Sequence, residues 1–216
     1  MYSTYLNTCL ALVSSFLSEP GHSIPIHESQ APTTFNLPYS LVPMDFKHLI
    51  NGTEFKFAGT AQQIIAQLVV QDPSFRVPQI EPALELSTAT ESGLAARSKD
   101  QIFCIPVPGQ PWVDVRLRTL SESINSLLLL ATLIKRCPVN ARSCTKLSCE
   151  NEAAIVLCND NKYAIAPNCG YLASYAQDIY NRCQRWDFGW RDWVSGGQKF
   201  DTDNYNVIVS RRAKDC

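Results

Sequence analysis

The sequence predicts an α+β fold: an antiparallel sheet with two helices packed on one face, which is an α/β sandwich. Disulfides brace this fold and an N-terminal extension precedes it. Three observations support the prediction. The cysteines gather in the C-terminal half, apolar residues there switch between strand and helix periods, and the chain ends on a strand–turn–strand pattern.

The strand–turn–strand pattern predicts a β-hairpin near the C-terminus. Tyr205, Val207 and Val209 recur at every second position, which is the period of a strand with one buried face. Residues 201–204 are Asp-Thr-Asp-Asn, which are turn formers. We predict that this hairpin is scaffold, completing the sheet, and that Cys216 fastens its end.

Two segments have the apolar spacing of amphipathic helices. In the first, apolar residues recur at helical spacing from Leu120 to Ile134, and Thr119 with Glu122 gives a capping-box pattern at its start. The second helix spans residues 170–183 and has one apolar face.

Short apolar strands are predicted around these helices. The sequence predicts a strand that prolines stop at residues 101–109, an apolar strand at residues 152–159, and a candidate partner for that strand at residues 162–166. The resulting order, β-α-β-(β)-α-β-β, favours an antiparallel sheet with helices on one face.

Eight of the nine cysteines lie between residues 104 and 216. An even, dense set predicts a disulfide framework whose pairing stays open. A zinc site is the alternative, but this region has no histidine and no CxxC pair, and no metal or other cofactor is predicted. The predicted disulfide cysteines are Cys104, Cys137, Cys144, Cys149, Cys158, Cys169, Cys183 and Cys216.

Disulfides imply an oxidising compartment, and reaching one requires an export signal. Residues 1–23 contain an apolar run of signal-peptide length that is too short to span a bilayer. A buried N-terminal helix is the alternative. We expect a secreted, extracellular protein without a membrane span, and the sequon at Asn51 predicts a glycoprotein.

The N-terminal half differs from the cysteine-rich half. Residues 24–86 contain no cysteine and several prolines, and Thr60 with Gln63 forms a capping box before an apolar-periodic helix. This region is interpreted as a propeptide or an accessory region. Residues 87–100 are small, polar and aperiodic, and predict a linker to the domain 101–216.

The C-terminal element order resembles that of the killer toxin KP4-like proteins of fungi. The features that carry the resemblance are, in order, a helix, "SCENEAAIVLCND", a second helix "YLASYAQDIYNRC", "GGQKFDTDNYNVIV" and a terminal cysteine. More loosely, the region resembles other small cysteine-rich secreted fungal proteins. The resemblance covers about residues 101–216, and it implies a compact α/β sandwich, secretion, and a toxin or effector role without enzymatic chemistry.

Two clusters are candidate binding surfaces. Residues 185–193 interleave aromatic with charged side chains, which suits sugar rings or protein hot spots, although packing on the core is the alternative. A basic cluster follows the first helix; it would meet an anionic partner or simply complement the helix dipole. The candidate binding residues are Lys135, Arg136, Arg142, Lys146, Trp186, Trp190 and Trp193.

Charge and histidine placement limit the possible functions. The net charge is −1, and the small cationic excess of the C-terminal half does not indicate nucleic acid as a partner. All three histidines precede residue 49, so the cysteine-rich domain has no imidazole for catalysis. No catalytic residue is assigned.

We expect a toxin-like or effector protein that binds a cell-surface protein, a channel or a cell-wall component. One alternative is a secreted enzyme acting on a glycan or a small metabolite through its N-terminal histidines or its carboxylates. The other is a cell-wall carbohydrate-binding protein. The candidate carboxylates are those of Asp187, Asp192, Asp201 and Asp203.

Overall fold

The structure is a computed structural model that describes residues 36–50, 52–78 and 99–211. The predicted signal peptide, the sequon at Asn51, two of the three histidines, Cys216 and all but the last two residues of the predicted linker lie outside the described residues. What the sequence indicates for them stays a prediction.

The described residues form three helices and ten strands. The helices are α1 (Ala61–Gln71), α2 (Leu117–Leu133) and α3 (Cys169–Cys183). The strands are β1 (Asp45–Ile50), β2 (Thr53–Ala58), β3 (Lys99–Cys104), β4 (Val115–Arg116), β5 (Ser143–Glu150), β6 (Ala153–Asn159), β7 (Arg185–Asp187), β8 (Asp192–Ser195), β9 (Gly197–Asp201) and β10 (Tyr205–Arg211). All pairs of these strands are antiparallel, so the predicted α+β class is confirmed.

The largest sheet has five strands in the order β3-β9-β10-β6-β5. Every residue of β6 is buried, because both faces of the sheet are covered. Ile155 and Leu157 join a core that includes residues from the helices, whereas Ala154 and Val156 join a second apolar cluster around Trp112. This double coverage explains why β6 is a continuous apolar run rather than an alternating one.

The predicted C-terminal hairpin is confirmed. Asp201 at the end of β9 pairs with Tyr205 at the start of β10, and residues 202–204 form the turn. Asn204 has a φ of 56°, a left-handed conformation that asparagine tolerates better than most residues. The hairpin lies within the sheet as scaffold.

Three helices contribute to one core. Ile64 of α1, Leu127 of α2 and Ile179 of α3 are buried in the same cluster as Ile155 of β6. The sequence analysis predicted two helices on the sheet, and α1 from the N-terminal region is an additional member of this core.

The capping boxes had different outcomes. The Thr60 side chain accepts from Gln63 N, and Gln63 Oε1 accepts from Thr60 N at 2.9 Å, which confirms the box at α1. The box predicted at Thr119 is wrong, since α2 begins at Leu117 and its N-cap, Arg116, makes no side-chain cap bond. Pairing of β4 with β8 holds Arg116 in extended backbone, and the helix starts directly after it.

Residues 36–78 share the core of the cysteine-rich domain. Met44 and Phe57 are buried in the cluster that α2 and α3 form. Val42 N donates to Cys144 O at 2.8 Å, and Cys144 N donates to Ser40 O at 2.9 Å. The N-terminal region therefore also covers the outer edge of β5, which would otherwise expose unpaired backbone groups.

Every cysteine within the described ranges is disulfide-bonded. The described bridges are Cys104–Cys183, Cys137–Cys169 and Cys144–Cys158. Cys149 is disulfide-bonded too. The predicted disulfide framework is thus confirmed for the described cysteines.

The region between α2 and β6 differs from the prediction. The segment interpreted as a basic loop contains β5, and Lys146 lies within that strand. Six of its eight residues are buried, and the Ser143 and Ser148 hydroxyls are hydrogen-bonded, whereas Thr145 Oγ1 is buried without a partner. Residues 162–166 form no strand and make only an isolated bridge between Ile165 and Val139.

Candidate functional site

The most exposed aromatic surface is the hairpin formed by β7 and β8. Phe188 is 86% exposed, and Trp186 and Trp193 are 42% and 48% exposed. Large aromatic side chains cost free energy when water surrounds them, so a cluster of three on one hairpin is typical of a binding surface. We call Trp186, Phe188 and Trp193 the aromatic hairpin.

Trp186 and Trp193 face each other across the two strands of this hairpin. They are direct register partners, with ring centroids 6.0 Å apart and an interplanar angle of 77°. This edge-to-face geometry stabilises the pair. The two rings are not coplanar, so they do not form the flat platform that stacking on a sugar requires.

Trp190 has a different environment from the other tryptophans. Its ring is half-buried and lies beside two guanidinium groups. Arg116 Cζ is 4.9 Å and Arg211 Cζ is 4.3 Å from the ring centroid. The sequence analysis placed Trp190 with Trp186 and Trp193 in one candidate group. The structure separates it from them by burial and by its cationic neighbours.

An ion pair anchors the base of the aromatic hairpin. Arg185 of β7 donates to a carboxylate oxygen of Asp114, which immediately precedes β4. Burial raises the pKa of the Asp114 carboxyl, and the positive charge of Arg185 acts in the opposite direction. The other carboxylate oxygen of Asp114 is buried without a hydrogen-bond partner, so this anchor is only partly satisfied.

The candidate carboxylates of this segment bond to nearby backbone. Asp187 Oδ1 accepts from Trp190 N at 2.9 Å, and Asp192 Oδ1 accepts from Trp193 N at 2.8 Å. These bonds shape the turn that carries Phe188. They are the local bonds that aspartate makes in turns, and they give no sign of a catalytic pair.

Asp201 belongs to a buried hydrogen-bond network. Tyr175 of α3 donates to Asp201 Oδ2, and Asp203 N donates to Asp201 Oδ1 at 2.7 Å. Burial raises the pKa of Tyr175 and of Tyr205, and hydrogen bonding to Asp201 raises both further. The network joins α3 to the β9–β10 turn and gives the Asp201 carboxylate a structural role, whereas Asp203 takes part through its backbone.

The basic candidates do not form one loop. Lys135, Arg136 and Arg142 are exposed, whereas Lys146 is half-buried in β5. Arg136 Nη1 donates to Ala166 O at 3.0 Å, so its guanidinium ties the segment after α2 to the segment before α3. This bond gives Arg136 a structural role.

Metal-site geometry is not found in the described part of the chain. No group of three or more His, Cys, Asp or Glu side chains there is arranged to hold an ion. His48, the one described histidine, lies in β1 against the ring of Phe46, with centroids 6.5 Å apart.

Phe188 lies within the candidate segment 185–193 but was not among the candidate binding residues, and Arg116 and Arg211 were not candidates at all. Phe188 sits between Asp187 and Gly189 in a turn between aromatic strands, and that local pattern could have marked it as the tip of a hairpin. Arg116 and Arg211 reach Trp190 from distant parts of the chain, and no sequence signal joins them.

Comparison with known proteins gives no relative. No protein-family model, curated protein or solved structure matches this chain. The resemblance to fungal killer toxins therefore stays a prediction. Within residues 36–50, 52–78 and 99–211, no helix is long and apolar enough to cross a membrane.

Proposed function

We propose that this is a secreted binding protein, toxin-like or effector-like, that engages a protein at a cell surface without catalysis. The observation that carries the proposal is the aromatic hairpin, which presents Trp186, Phe188 and Trp193 from a rigid scaffold. Bridges, ion pairs and strand pairing fix the scaffold, and the apolar side chains of the hairpin are left exposed.

Secretion is supported by the buried disulfides. Cys137, Cys144, Cys158 and Cys169 are fully buried, so their bridges are part of the packed interior. Bridges of this kind form and persist in oxidising compartments. A protein that works outside the cell meets its target at the surface of that cell or of another.

A protein target is favoured over a polysaccharide by the chemistry of the hairpin. Tryptophan and arginine are the residues most enriched in protein hot spots, and Arg185 and Arg191 are exposed beside the aromatic rings. The edge-to-face pair of Trp186 and Trp193 offers ring edges and a cleft rather than one flat face. A protein surface with an apolar pocket for Phe188 complements this shape.

The test is a binding screen against an array of extracellular receptor domains and glycans, at low and high salt. The wild type is compared with the variant Trp186→Ala, Phe188→Ala, Trp193→Ala, and with Tyr163→Ala as a control that removes an exposed aromatic elsewhere. We expect binding to receptor domains that survives high salt. The triple variant should lose at least tenfold in affinity, and Tyr163→Ala should retain it.

Two outcomes contradict the proposal. Binding to glycans alone would replace the protein target with a carbohydrate. A triple variant that keeps wild-type affinity, with unchanged thermal unfolding, would show that the aromatic hairpin is not the contact surface.

A further inference from the structure

A polar cavity lies at the N-terminal end of α2, beside Trp190. It has a volume of about 400 Å³, within the range typical of small-ligand sites. Three chain segments that are distant in sequence build it. Its lining residues are Val115, Arg116, Thr119, Asn151, Glu152, Trp190 and Arg211.

Two arginines share the indole ring in this cavity. Arg116 and Arg211 have their Cζ atoms 4.9 Å and 4.3 Å from the centroid of Trp190. Stacking on an aromatic ring uses the flat face of a guanidinium and leaves its N–H donors free along the edge. The same indole ring therefore has two positively charged groups beside it, whose N–H donors can stay available to a ligand.

Those donors have no acceptor among the described residues. Neither guanidinium donates a hydrogen bond there, and Arg211 Nε is buried without a partner. The nearest carboxylate to Arg116 is that of Asp192, at 3.8 Å from Nε, and both side chains are about half exposed. Two cationic groups at one cavity, with most of their N–H donors unused, favour the binding of an anion within reach of both.

The N-terminal end of α2 adds to the positive electrostatic potential of the cavity. This helix of 17 residues has no side-chain cap bond and no acidic residue in its first turn. Its first N–H groups and its dipole favour a negative charge at the cavity where Arg116 and Thr119 lie. Thr119 makes no side-chain hydrogen bond to another described residue, so its hydroxyl is available as a further donor.

The cavity is built on regular elements. Arg116 is in β4, paired with Val194 of β8, and Arg211 ends β10, where its N donates to Val113 O at 2.8 Å. Such backbone pairing fixes the positions from which the two arginine side chains reach Trp190, which lowers part of the entropic cost of binding.

We infer that this cavity binds a tetrahedral oxyanion, a phosphate or sulfate, as the free ion or as a monoester. Planar, bidentate recognition by arginine fits such groups, and two guanidinium groups with a helix N-terminus supply donors from several directions. Glu152 opposes the anion with its negative charge. The inference extends beyond the proposed function, and the cavity uses Trp190 from the turn between β7 and β8 but none of the three exposed aromatic side chains.

The test is titration of the full-length protein with inorganic phosphate at constant ionic strength, with chloride as the balancing ion. Thermal unfolding and tryptophan fluorescence are recorded, because Trp190 lines the site. We expect a saturable rise in the midpoint of thermal unfolding and a saturable fluorescence change. Equal effects of phosphate and chloride would overturn the inference.

Variants locate the binding. Arg116→Gln and Arg211→Gln should each weaken phosphate binding at least tenfold, whereas Arg118→Gln, an exposed arginine of the first turn of α2 paired with Glu122, should leave it within twofold. Arg116→Lys keeps the charge and the fold but loses the planar stack, and should weaken binding several-fold. An equal loss in Arg118→Gln would mean non-specific attraction.

Two further measurements sharpen the assignment. Glu152→Gln removes the opposing charge and should tighten phosphate binding several-fold; weaker binding would overturn the described geometry. Glucose 6-phosphate and glucosamine 6-sulfate then identify the source of the group. Tighter binding of a sugar ester than of the free ion assigns the cavity to a monoester, and the reverse assigns it to the ion.

Discussion

Residues 36–78 and residues 99–211 are held in the molecule by different forces. The second region contains all the described disulfides, and the first contains no cysteine. Both regions nevertheless supply buried residues to one core, such as Met44 and Ile64 from the first and Leu127 from the second. Covalent restraint and cohesion are therefore separate properties, because apolar packing and hydrogen bonds attach a region without cysteines to a cross-linked one.

We expect the largest effect from removing the disulfides that restrain residues 99–211. Cys104–Cys183 closes a separation of 79 residues and Cys144–Cys158 one of 14 residues. Chain entropy then gives the longer bridge about 4.5 kcal/mol and the shorter one about 3 kcal/mol of stabilisation. We expect Cys104→Ala, Cys183→Ala to lower the free energy of unfolding more than Cys144→Ala, Cys158→Ala, as measured by urea denaturation.

The reverse order would mean that cavity and packing effects at the buried Cys144–Cys158 pair outweigh loop closure. If either bridge-deletion protein is unfolded at the working temperature, the side chains of the aromatic hairpin should also lose their fixed positions. Near-ultraviolet circular dichroism of the tryptophans reports that loss.

The next effect tests the apolar attachment of residues 36–78. Ile64→Ala removes a fully buried side chain of α1 and should cost about 3 kcal/mol. Because the core is shared, the entire protein should unfold earlier and in a single transition. Val70→Ala, a largely exposed position on the same helix, is the control and should change the unfolding midpoint little.

If Ile64→Ala instead gives two transitions, with the later one unchanged from the wild type, then residues 36–78 unfold as a separate unit. Urea unfolding followed by both tryptophan fluorescence and far-ultraviolet circular dichroism distinguishes these outcomes. All four tryptophans lie in the second region, so fluorescence reports that region alone.

A smaller effect concerns the polar contact between the two regions. Gln62 Nε2 donates to Ser148 Oγ at 2.8 Å, and Gln62 Oε1 accepts from Cys149 N at 3.2 Å. Gln62→Ala leaves a buried backbone N–H without this acceptor and should cost about 1–2 kcal/mol. The matched control is Gln71→Ala at the exposed end of α1, and equal stability of the two variants would reject the role of Gln62.

The smallest effect comes from two buried tyrosines of residues 99–211. Their contribution to stability changes only at alkaline pH. The pKa values of Tyr175 and Tyr205 lie above the ordinary 10.0 because both side chains are buried and bonded to Asp201. The unfolded chain loses these protons near pH 10 while the folded chain keeps them, so the free energy of unfolding falls as pH rises above about 10. Below about pH 10 the free energy of unfolding should not depend on the ionisation of Tyr175 and Tyr205.

Tyr175→Phe should reduce the alkaline slope of the unfolding free energy, measured by urea titrations between pH 8 and 11. Tyr163→Phe, at an exposed position, is the control. An unchanged slope in Tyr175→Phe would contradict the buried network as its source.

Elements with local signals were predicted well. Thr60 with Gln63 marks α1 because a capping box is made by residues three apart, and the β9–β10 hairpin follows from a short turn between alternating residues. The apolar face of α3, which includes Leu172 and Ile179, is buried as predicted. These patterns need no knowledge of the rest of the fold.

Elements that depend on distant partners were not predicted. β5 is largely polar, and it is a strand because β6 and residues 40–42 pair with its two sides. α2 begins at Leu117 rather than after Thr119, since β8 holds the preceding residues in extended backbone. Likewise, Arg116 and Arg211 meet Trp190 only through the tertiary fold.

The most direct test of the shared core is to cut the chain between its two regions. A specific protease site is placed within residues 88–95, outside the described elements, in a protein that carries Cys9→Ser so that no bridge can join the fragments, and the purified protein is cleaved without reducing agent. We predict that the N-terminal fragment co-elutes with residues 99–216 on size-exclusion chromatography in native buffer, and separates from it only in denaturant. Separation of the two fragments in native buffer would contradict the single core on which this account rests.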